Sequence, residues 1–396
     1  ALLRRTVHTH RPPATHTRLH HSHCRTRSVV RAGKARRGAR ICHTYSMGCA
    51  GSAPVENTAE NKSIESDLKK TKKRLQAEVR LLLLGASESG KSTIARQFQM
   101  INGAFSASER KDLKQAVHLN IVECMKILLR AARRFNIPLQ EANKDKANVL
   151  LANKFQCDVI MTDEVVQYLK ALWKDDAIQK TFGRSREFYL PECSKYLFEN
   201  LERLCQPDFE PTDNDCLRVR QRTLGVIETQ FVLNQRLYKI VDVGGQRSER
   251  RKWINFFDNV TCLLYCVALD EYDLLLYEDN KTSRMAEALK LFEDIVKMAE
   301  FGKTPILLFL NKSDLLKEKI KDVTPAVLFP EYDGGNNYDA ALEWIKNMYL
   351  LIAKSGGDRK VYPHVTCALD QKTMKFVWNA TSDVIVSQGF QNAGVV

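Results

Sequence analysis

Five short apolar, β-rich runs punctuate the chain between longer stretches of helical spacing: 79–84, Leu237–Val243, Thr261–Leu269, Thr304–Leu310 and Tyr362–Thr366. Buried parallel strands have this texture, because helices cover both faces of the sheet and neither side stays polar. The pattern predicts an α/β domain with a parallel-rich sheet and helices on both faces. In such sheets ligands bind outside the carboxyl ends of the strands. Between the first and second runs, roughly 106–215, the texture changes. Segments such as DEVVQYLKALWKDDAIQKTF and SKYLFENLERLC space their apolar residues three and four apart, as amphipathic helices do. An all-α helical domain, 106–215, is therefore expected as an insertion into an α/β domain built from 79–105 and 216–396. Tyr168, Leu172 and Trp173 belong to its core in this reading.

A chain of 396 residues is too long for one hydrophobic core. Its formal charge of +14 suggests a nucleic-acid binder until it is located. Eleven Lys and Arg and no acid fall in residues 1–46, so the remainder is close to neutral and gives no reason to invoke nucleic acid. That segment also holds seven of the nine histidines, without partner ligands at metal spacing. Being Arg-rich and acid-poor, it has the composition of an organelle transit peptide. The chain begins with Ala1 and its first methionine is Met47, so the preferred reading of 1–46 is a disordered, non-native upstream extension. The remaining cysteines lack a C-x-x-C pair, which points to free thiols in a reducing compartment. No run approaches the roughly 20 apolar residues of a membrane span.

The chemistry begins at GASESGKST, residues 85–93, which follows the first apolar run and matches G-x-x-x-x-G-K-[ST] between a strand and a helix. Backbone N–H groups of Glu88, Ser89, Gly90, Lys91, Ser92 and Thr93 are expected to wrap a phosphate chain, aided by the positive end of the following helix. Lys91 would reach the β- and γ-oxygens, and the Ser92 hydroxyl would ligate Mg²⁺. This loop alone does not choose between ATP and GTP. NKSD, Asn311 to Asp314, ends an apolar strand and does choose. The Asp314 carboxylate can accept both the N1–H and the exocyclic amine of guanine, whereas against adenine it would stay desolvated and unpaired. The Lys312 stem would lie along the base. TCALD, with Cys367 and Ala368, ends the fifth strand where the Ala368 N–H could meet the guanine carbonyl. DVGGQRSERRKW ends the second strand: Asp242 would hold a water of the Mg²⁺ shell, Gly245 would turn its N–H to the γ-phosphate, and Gln246 would orient the attacking water. Upstream, LRVRQRTLG carries Leu217 and Arg218 beside the nucleotide, Arg220 as a cation for transition-state charge, and Thr223 as a second protein ligand to Mg²⁺; on the charge pattern alone Arg218, Arg220 and Arg222 also read as a solvated strand face.

Together these residues make the chain, from Met47 to Val396, resemble the α subunit of a heterotrimeric G protein. The marks are the P-loop, Arg220 with Thr223, the D-V-G-G-Q-R-S-E-R run, N-K-x-D, T-C-A, and a helical insertion containing WKDDAIQKTFGRSREFYL. Small Arf-like GTPases share D-V-G-G-Q but lack the insertion and the built-in arginine. The resemblance implies a Ras-like P-loop GTPase domain with an inserted helical domain and a GTP/GDP switch. Such a switch pairs with a βγ dimer, is exchanged by a membrane receptor, acts on an effector, and is reset by hydrolysis that regulators accelerate. The segments that order around the γ-phosphate would be about 217–226 and 243–255.

The amino end fits the same family. MGCAGS, from Met47, satisfies M-G-x-x-x-[ST], so Gly48 could be myristoylated, and Cys49 resembles the family's palmitoylated cysteine. Two acyl chains hold a protein at a membrane where one does so marginally. Ile64, Leu68, Leu75 and Val79 stripe a predicted helix in 47–78, ringed by Lys69, Lys70, Lys72, Lys73 and Arg74. That helix resembles the βγ-binding one, its basic side either facing anionic lipid or simply solvated. The expected location is the cytoplasmic face of the plasma membrane. Departures from the family are Ser87 in place of a P-loop glycine, Arg222 for lysine, Glu192-Cys193 for an Asp-Ser pair, and Ala393 where one subclass has a toxin-modified cysteine. Ser87 suggests slow hydrolysis. A module that holds GTP without useful turnover and a P-loop metabolic kinase are the competing classes; Arg220 and Gln246 argue against the first, NKSD against the second.

Overall fold

The computed structural model describes residues 78–152, 161–223, 225–233, 236–279, 281–357 and 359–392, with side chains of the last helix described to 385. The expectations for 1–46, for Gly48 and Cys49, for Ala393 and for all but the end of the helix in 47–78 lie outside them; at that end Glu78 and Val79, the latter read into the helix stripe, belong to a strand, because Val79 is buried in the sheet.

Each apolar run becomes a strand whose successive residues feed opposite layers. From β1 (Glu78–Leu84), Val79, Leu81 and Leu83 pack with Ile94 and Phe98 of α1 (Lys91–Asn102). Leu82 and Leu84 pack on the other face. This two-sided burial is why the runs lack polar alternation. The sheet has six strands in the order β2-β3-β1-β4-β5-β6. They are β1, β2 (Val226–Leu233), β3 (Arg236–Val243), β4 (Cys262–Ala268), β5 (Ile306–Asn311) and β6 (Val361–Val365). All pairings are parallel except β2 with β3. β2 is the strand the apolar pattern misses. Its sequence VIETQFVL is half exposed at the sheet edge and never reads as a buried run.

Between β1 and β2, after α1, the chain is helical: α2 (Ala107–Arg134), α3 (Glu141–Ala152), α4 (Asp163–Trp173), α5 (Asp176–Gly183), α6 (Ser194–Glu199), α7 (Leu201–Leu204) and α8 (Asp213–Arg218). A capping box starts α2: the Glu109 N–H donates to the Ser106 hydroxyl, and the Ser106 N–H returns a bond to the Glu109 carboxylate. Val117, Ile121, Met125, Leu128 and Leu129 then line its inward stripe in a core separate from those of the sheet. Leu172 is fully buried there, while Tyr168 and Trp173 pack against it partly buried, Trp173 stacking on Phe198.

The carboxyl-terminal half supplies α9 (Arg284–Val296), α10 (Ser313–Lys319), α11 (Tyr338–Lys354) and α12 (Gln371–Asn392). Phe292 and Ile295 of α9 and Ile345 and Tyr349 of α11 cover one face of the sheet. Trp378 of α12 joins α1 on the other. The loops after β1, β3, β5 and β6 thus share one rim of the sheet, where they meet the segment following α8. No helix among the described residues is long and apolar enough to cross a membrane.

Candidate nucleotide site

At that rim lies a cleft of about 260 Å³. Its lining includes Ser87, Glu88, Gly90, Lys91, Ser92, Thr93, Leu217, Arg218, Arg220, Thr223, Gly245, Gln246, Asn311, Lys312, Asp314, Cys367 and Ala368. Nearly every residue proposed from sequence for nucleotide, metal or catalysis therefore borders one cavity; the exceptions are Ser89 and Asp242, buried beneath its floor.

The loop after β1 turns so tightly that side chains are excluded at fixed places. A Cβ on Gly85 would lie 2.3 Å from the Cys266 carbonyl, and one on Gly90 2.2 Å from Asn311 Nδ2. Gly85, Glu88 and Gly90 all have positive φ, the last directly preceding α1. Glu88 holds that backbone as a non-glycine residue, and its carboxylate is heavily engaged. Inside the loop, the Ser89 hydroxyl donates to the Ala86 carbonyl at 3.0 Å, so the Ser89 side chain serves the loop itself. The Lys91 ammonium donates to the same carbonyl at 2.6 Å. Burial lowers the Lys91 pKa from its ordinary value, opposed by Asp242.

Three oxygens converge beside α1. Ser92 Oγ donates to Asp242 Oδ2 at 2.5 Å and lies 3.0 Å from Thr223 Oγ1. The other Asp242 oxygen, Oδ1, is buried without a hydrogen-bond partner. Burial raises the Asp242 pKa, with Lys91 acting against it. An orphaned carboxylate oxygen beside two hydroxyls fits a hard divalent cation with part of its water shell. No cluster of His, Cys, Asp and Glu suited to another metal occurs among the described residues.

Asn311 joins three motifs. Its Nδ2 donates to Ser89 O at 2.9 Å, and its Oδ1 accepts from Ala368 N–H at 3.0 Å and Thr366 Oγ1 at 3.3 Å. The Ala368 N–H, expected to meet a guanine carbonyl, already has this acceptor, because the loop after β6 is braced against β5. Asp314 is exposed and borders the cleft, where a seated base would desolvate it. Lys312 is buried, has φ of 63°, and pairs with Glu192. Burial opposes its charge, but Asp270, Glu192 and Glu271 outweigh this and raise its pKa.

Arg220 borders the cleft with its guanidinium engaged by Glu88. Its Nε and Nη2 bond Glu88 Oε1 at 3.1 and 2.9 Å. Arg284 reaches Glu88 Oε2 at 3.2 Å, and Tyr189 donates to Oε1 at 2.5 Å. Burial disfavours the Glu88 carboxylate, yet Arg284 and Arg220 prevail and depress its pKa. The Arg220 backbone is gripped by Asn120, whose Oδ1 accepts its N–H at 2.7 Å and whose Nδ2 donates to its carbonyl at 2.9 Å. Arg218 bonds Asn214 and lies over the Tyr196 ring, while Thr93 Oγ1 donates to Leu217 O at 3.5 Å. After β3, Arg250 donates to Gly245 O and pairs with Glu287, and Trp253 donates to Gly244 O. Gln246 is buried to 9% exposure between these anchors.

Asn120, Tyr189, Arg284 and Arg96 had no sequence signal. They act across separations of a hundred residues or more, as in the bonds from Arg96 to Cys216 O and Val219 O. Only Glu192 carried a hint, as a departure from the family pair.

Residues 58–385 match the protein family described as the G-protein alpha subunit. The chain belongs to that family. It is 42% identical over 354 residues to the guanine nucleotide-binding protein alpha-1 subunit of Mycosarcoma maydis, covering 88% of this chain and all of that one. Similarity to the G-protein complex alpha subunit gpaA of Aspergillus fumigatus is 41% identity over the same shares. The alpha-2 subunit of Dictyostelium discoideum is also 41% identical, over 88% of this chain and 99% of its own. As a G-protein alpha subunit the chain is a guanine-nucleotide-binding GTPase and a signal transducer, of a family that in general pairs with βγ dimers. The α/β architecture with its helical insertion is that of the family.

Proposed function

We propose that the cleft holds GTP with Mg²⁺ and that the chain's own residues divide the work of switching and hydrolysis. The supporting observation is the convergence of Ser92, Thr223 and the half-orphaned Asp242 next to Lys91 and Gly245. Ser92 and Thr223 would ligate Mg²⁺ directly and Asp242 through water. When bound, the ion would neutralise charge on the phosphate oxygens. The loop 85–90 and Lys91 hold the phosphates, while Leu217, Arg218, Cys367 and Ala368 flank the nucleotide. Asp314 accepts from the guanine edge, and Lys312 packs on the base. Asn311 acts mainly by bracing the loops. Gln246 orients water. Arg220 must release Glu88 before its guanidinium can meet charge developing on the transferred phosphoryl group. Ser87 puts a hydroxymethyl group where a γ-phosphate and Gln246 would converge, which supports slow turnover.

The same reading assigns the protein a membrane receptor, an effector, GTPase-accelerating regulators and a βγ dimer as partners. It places the chain on the inner membrane surface through acylated Gly48 and Cys49. Single-turnover hydrolysis of radiolabelled GTP tests the site. Excess ATP should not compete and EDTA should abolish turnover. Competition by ATP would overturn the guanine assignment, and EDTA-insensitive turnover would overturn the metal one.

A further inference from the structure

One feature of the helical region has no role in the nucleotide chemistry proposed above. Cys124, on α2, and Cys193, immediately before α6, are both buried, at 1% and 7% exposure, and both free. Around them the side chains interlock: Ser194 Oγ donates to Cys124 Sγ at 3.2 Å, and Cys193 Sγ donates to Asn120 Oδ1 at 4.0 Å. Asn120 and Cys124 are one turn apart on α2 and so share a face. Cys193 and Ser194 are adjacent, so the crossed contacts bring the two thiols side by side. Each thiol borders an opening. Cys193 lines the nucleotide cleft, and Cys124 lines a second cleft of about 1010 Å³ bounded by α2, Tyr189 and Arg220.

We propose that Cys124 and Cys193 form an oxidisable dithiol, closed to a disulfide by a hydroperoxide. The Cys124 thiolate attacks the peroxide O–O bond, giving a sulfenic acid and releasing water or an alcohol. The Cys193 sulfur then attacks the sulfenic sulfur, the S–S bond forms, and hydroxide leaves to take up the Cys193 proton as water. Two thiols lose two electrons and two protons, and the peroxide is reduced. Cys124 is the attacking partner: the neighbouring Cys193 thiol foremost, and the Ser194 hydroxyl 3.2 Å from its sulfur, hold its pKa below the ordinary thiol value, whereas that of Cys193 is raised. The pair also departs from an ordinary buried cysteine, which packs as a small apolar group and is inert.

The bond would tie α2 to the start of α6 and remove the Cys193 donor from Asn120. Asn120 holds the Arg220 backbone at both ends, so oxidation is transmitted to Arg220. This consequence rests on the catalytic reading of Arg220, whereas the disulfide itself does not. A shift of about 1 Å in a catalytic group can cost on the order of a hundredfold in rate, so a reversible slowing of hydrolysis of about tenfold or more is expected.

The test uses the full GDP-loaded chain, treated with hydrogen peroxide, alkylated, digested and mapped by mass spectrometry. The expected product joins the Cys124 and Cys193 peptides, disappears with dithiothreitol, and is absent from C124S and C193S. In C193S, dimedone should label Cys124 as a trapped sulfenic acid. C124S should bind and hydrolyse GTP as the parent does and lose only the response to peroxide. Oxidation of other cysteines with no Cys124–Cys193 link overturns the dithiol. A link that leaves hydrolysis unchanged overturns its coupling to Arg220 and leaves the modification site standing.

Discussion

Replacing Gly245 with alanine should separate the two nucleotide states. A Cβ at Gly245 would lie 2.5 Å from Lys91 Nζ and 2.7 Å from the Ala86 carbonyl oxygen, about 0.7 Å inside the 3.4 Å at which ordinary contact begins. Lys91 cannot simply swing aside, because its ammonium is buried and bonded to that same Ala86 oxygen. The Ala86 oxygen is backbone in a loop already pinned at Gly85 and Gly90. Relief must therefore come from the 243–255 segment moving outward. Overpacking of this kind costs about 1–3 kcal/mol. On the proposed reading, in which the Gly245 N–H approaches the γ-phosphate, it falls on the GTP state, while the GDP state can relax. The converted expectation is a loss of about 5- to 150-fold in affinity for a non-hydrolysable GTP analogue relative to GDP. Equilibrium titration of both nucleotides on parent and Gly245→Ala measures the ratio, with single-turnover hydrolysis alongside. An unchanged affinity ratio together with an unchanged hydrolysis rate would refute the contact argument.

Other substitutions probe the remaining assignments. Asp314→Asn should weaken GTP and GDP binding and favour xanthine nucleotides, since its amide offers a donor where guanine needs an acceptor; retained guanine affinity in a competition assay removes the base-recognition role. Ser87→Gly should speed single-turnover hydrolysis on the order of tenfold or more with little change in GTP affinity, and no acceleration at saturating Mg²⁺ would end the steric account. Glu88→Gln removes the charge that ties the phosphate loop to Arg220 and Arg284, a partly exposed network worth about 1 kcal/mol, so GDP release measured by fluorescent-nucleotide exchange should rise about fivefold. Expressed from Met47, the chain should sediment with membranes, and the double change Gly48→Ala with Cys49→Ala should leave it in the supernatant; intact mass of native protein checks whether Gly48 is acylated.

The sheet was legible because β1, β3, β4 and β5 bury apolar residues on both faces and announce themselves as apolar runs, with the half-exposed β6 as a shorter one. β2 was not, since an edge strand keeps polar residues on its open side and VIETQFVL satisfies no simple template. Motif residues were legible where backbone geometry demands a residue type, as at Gly85, Gly90 and Gly245. What spacing could not disclose was which side chains would be engaged within the protein. Arg220 is bound to Glu88, the Ala368 N–H to Asn311, and Lys312 to Glu192, each through a contact between distant parts of the chain. Asn120 sits among the apolar residues of a long helix and looks like any solvated helix position. Its grip on Arg220 exists only because the chain returns a hundred residues later.

The antiparallel pairing of β2 with β3 makes the two proposed switch segments, 217–226 and 243–255, mechanically a single object. Val226 pairs with Val243, and just beyond that last rung the Gly244 N–H donates to Gly225 O, while the Gly225 N–H donates to Glu249. The segment carrying Thr223 and the segment carrying Gly245 and Gln246 are thus the two free ends of one ribbon, clamped together at the cleft. A pull on either end loads the other without any signal having to cross the core. The eight rungs from Val226–Val243 to Leu233–Arg236 carry that load lengthwise, so displacement at the phosphate can tilt the far end of the sheet edge roughly 25 Å away. An edge ribbon that bonds on one side only can hinge like this, whereas the strands between β3 and β6 are locked from both sides. Chain order alone places both segments at one end of a ribbon on the edge of the sheet.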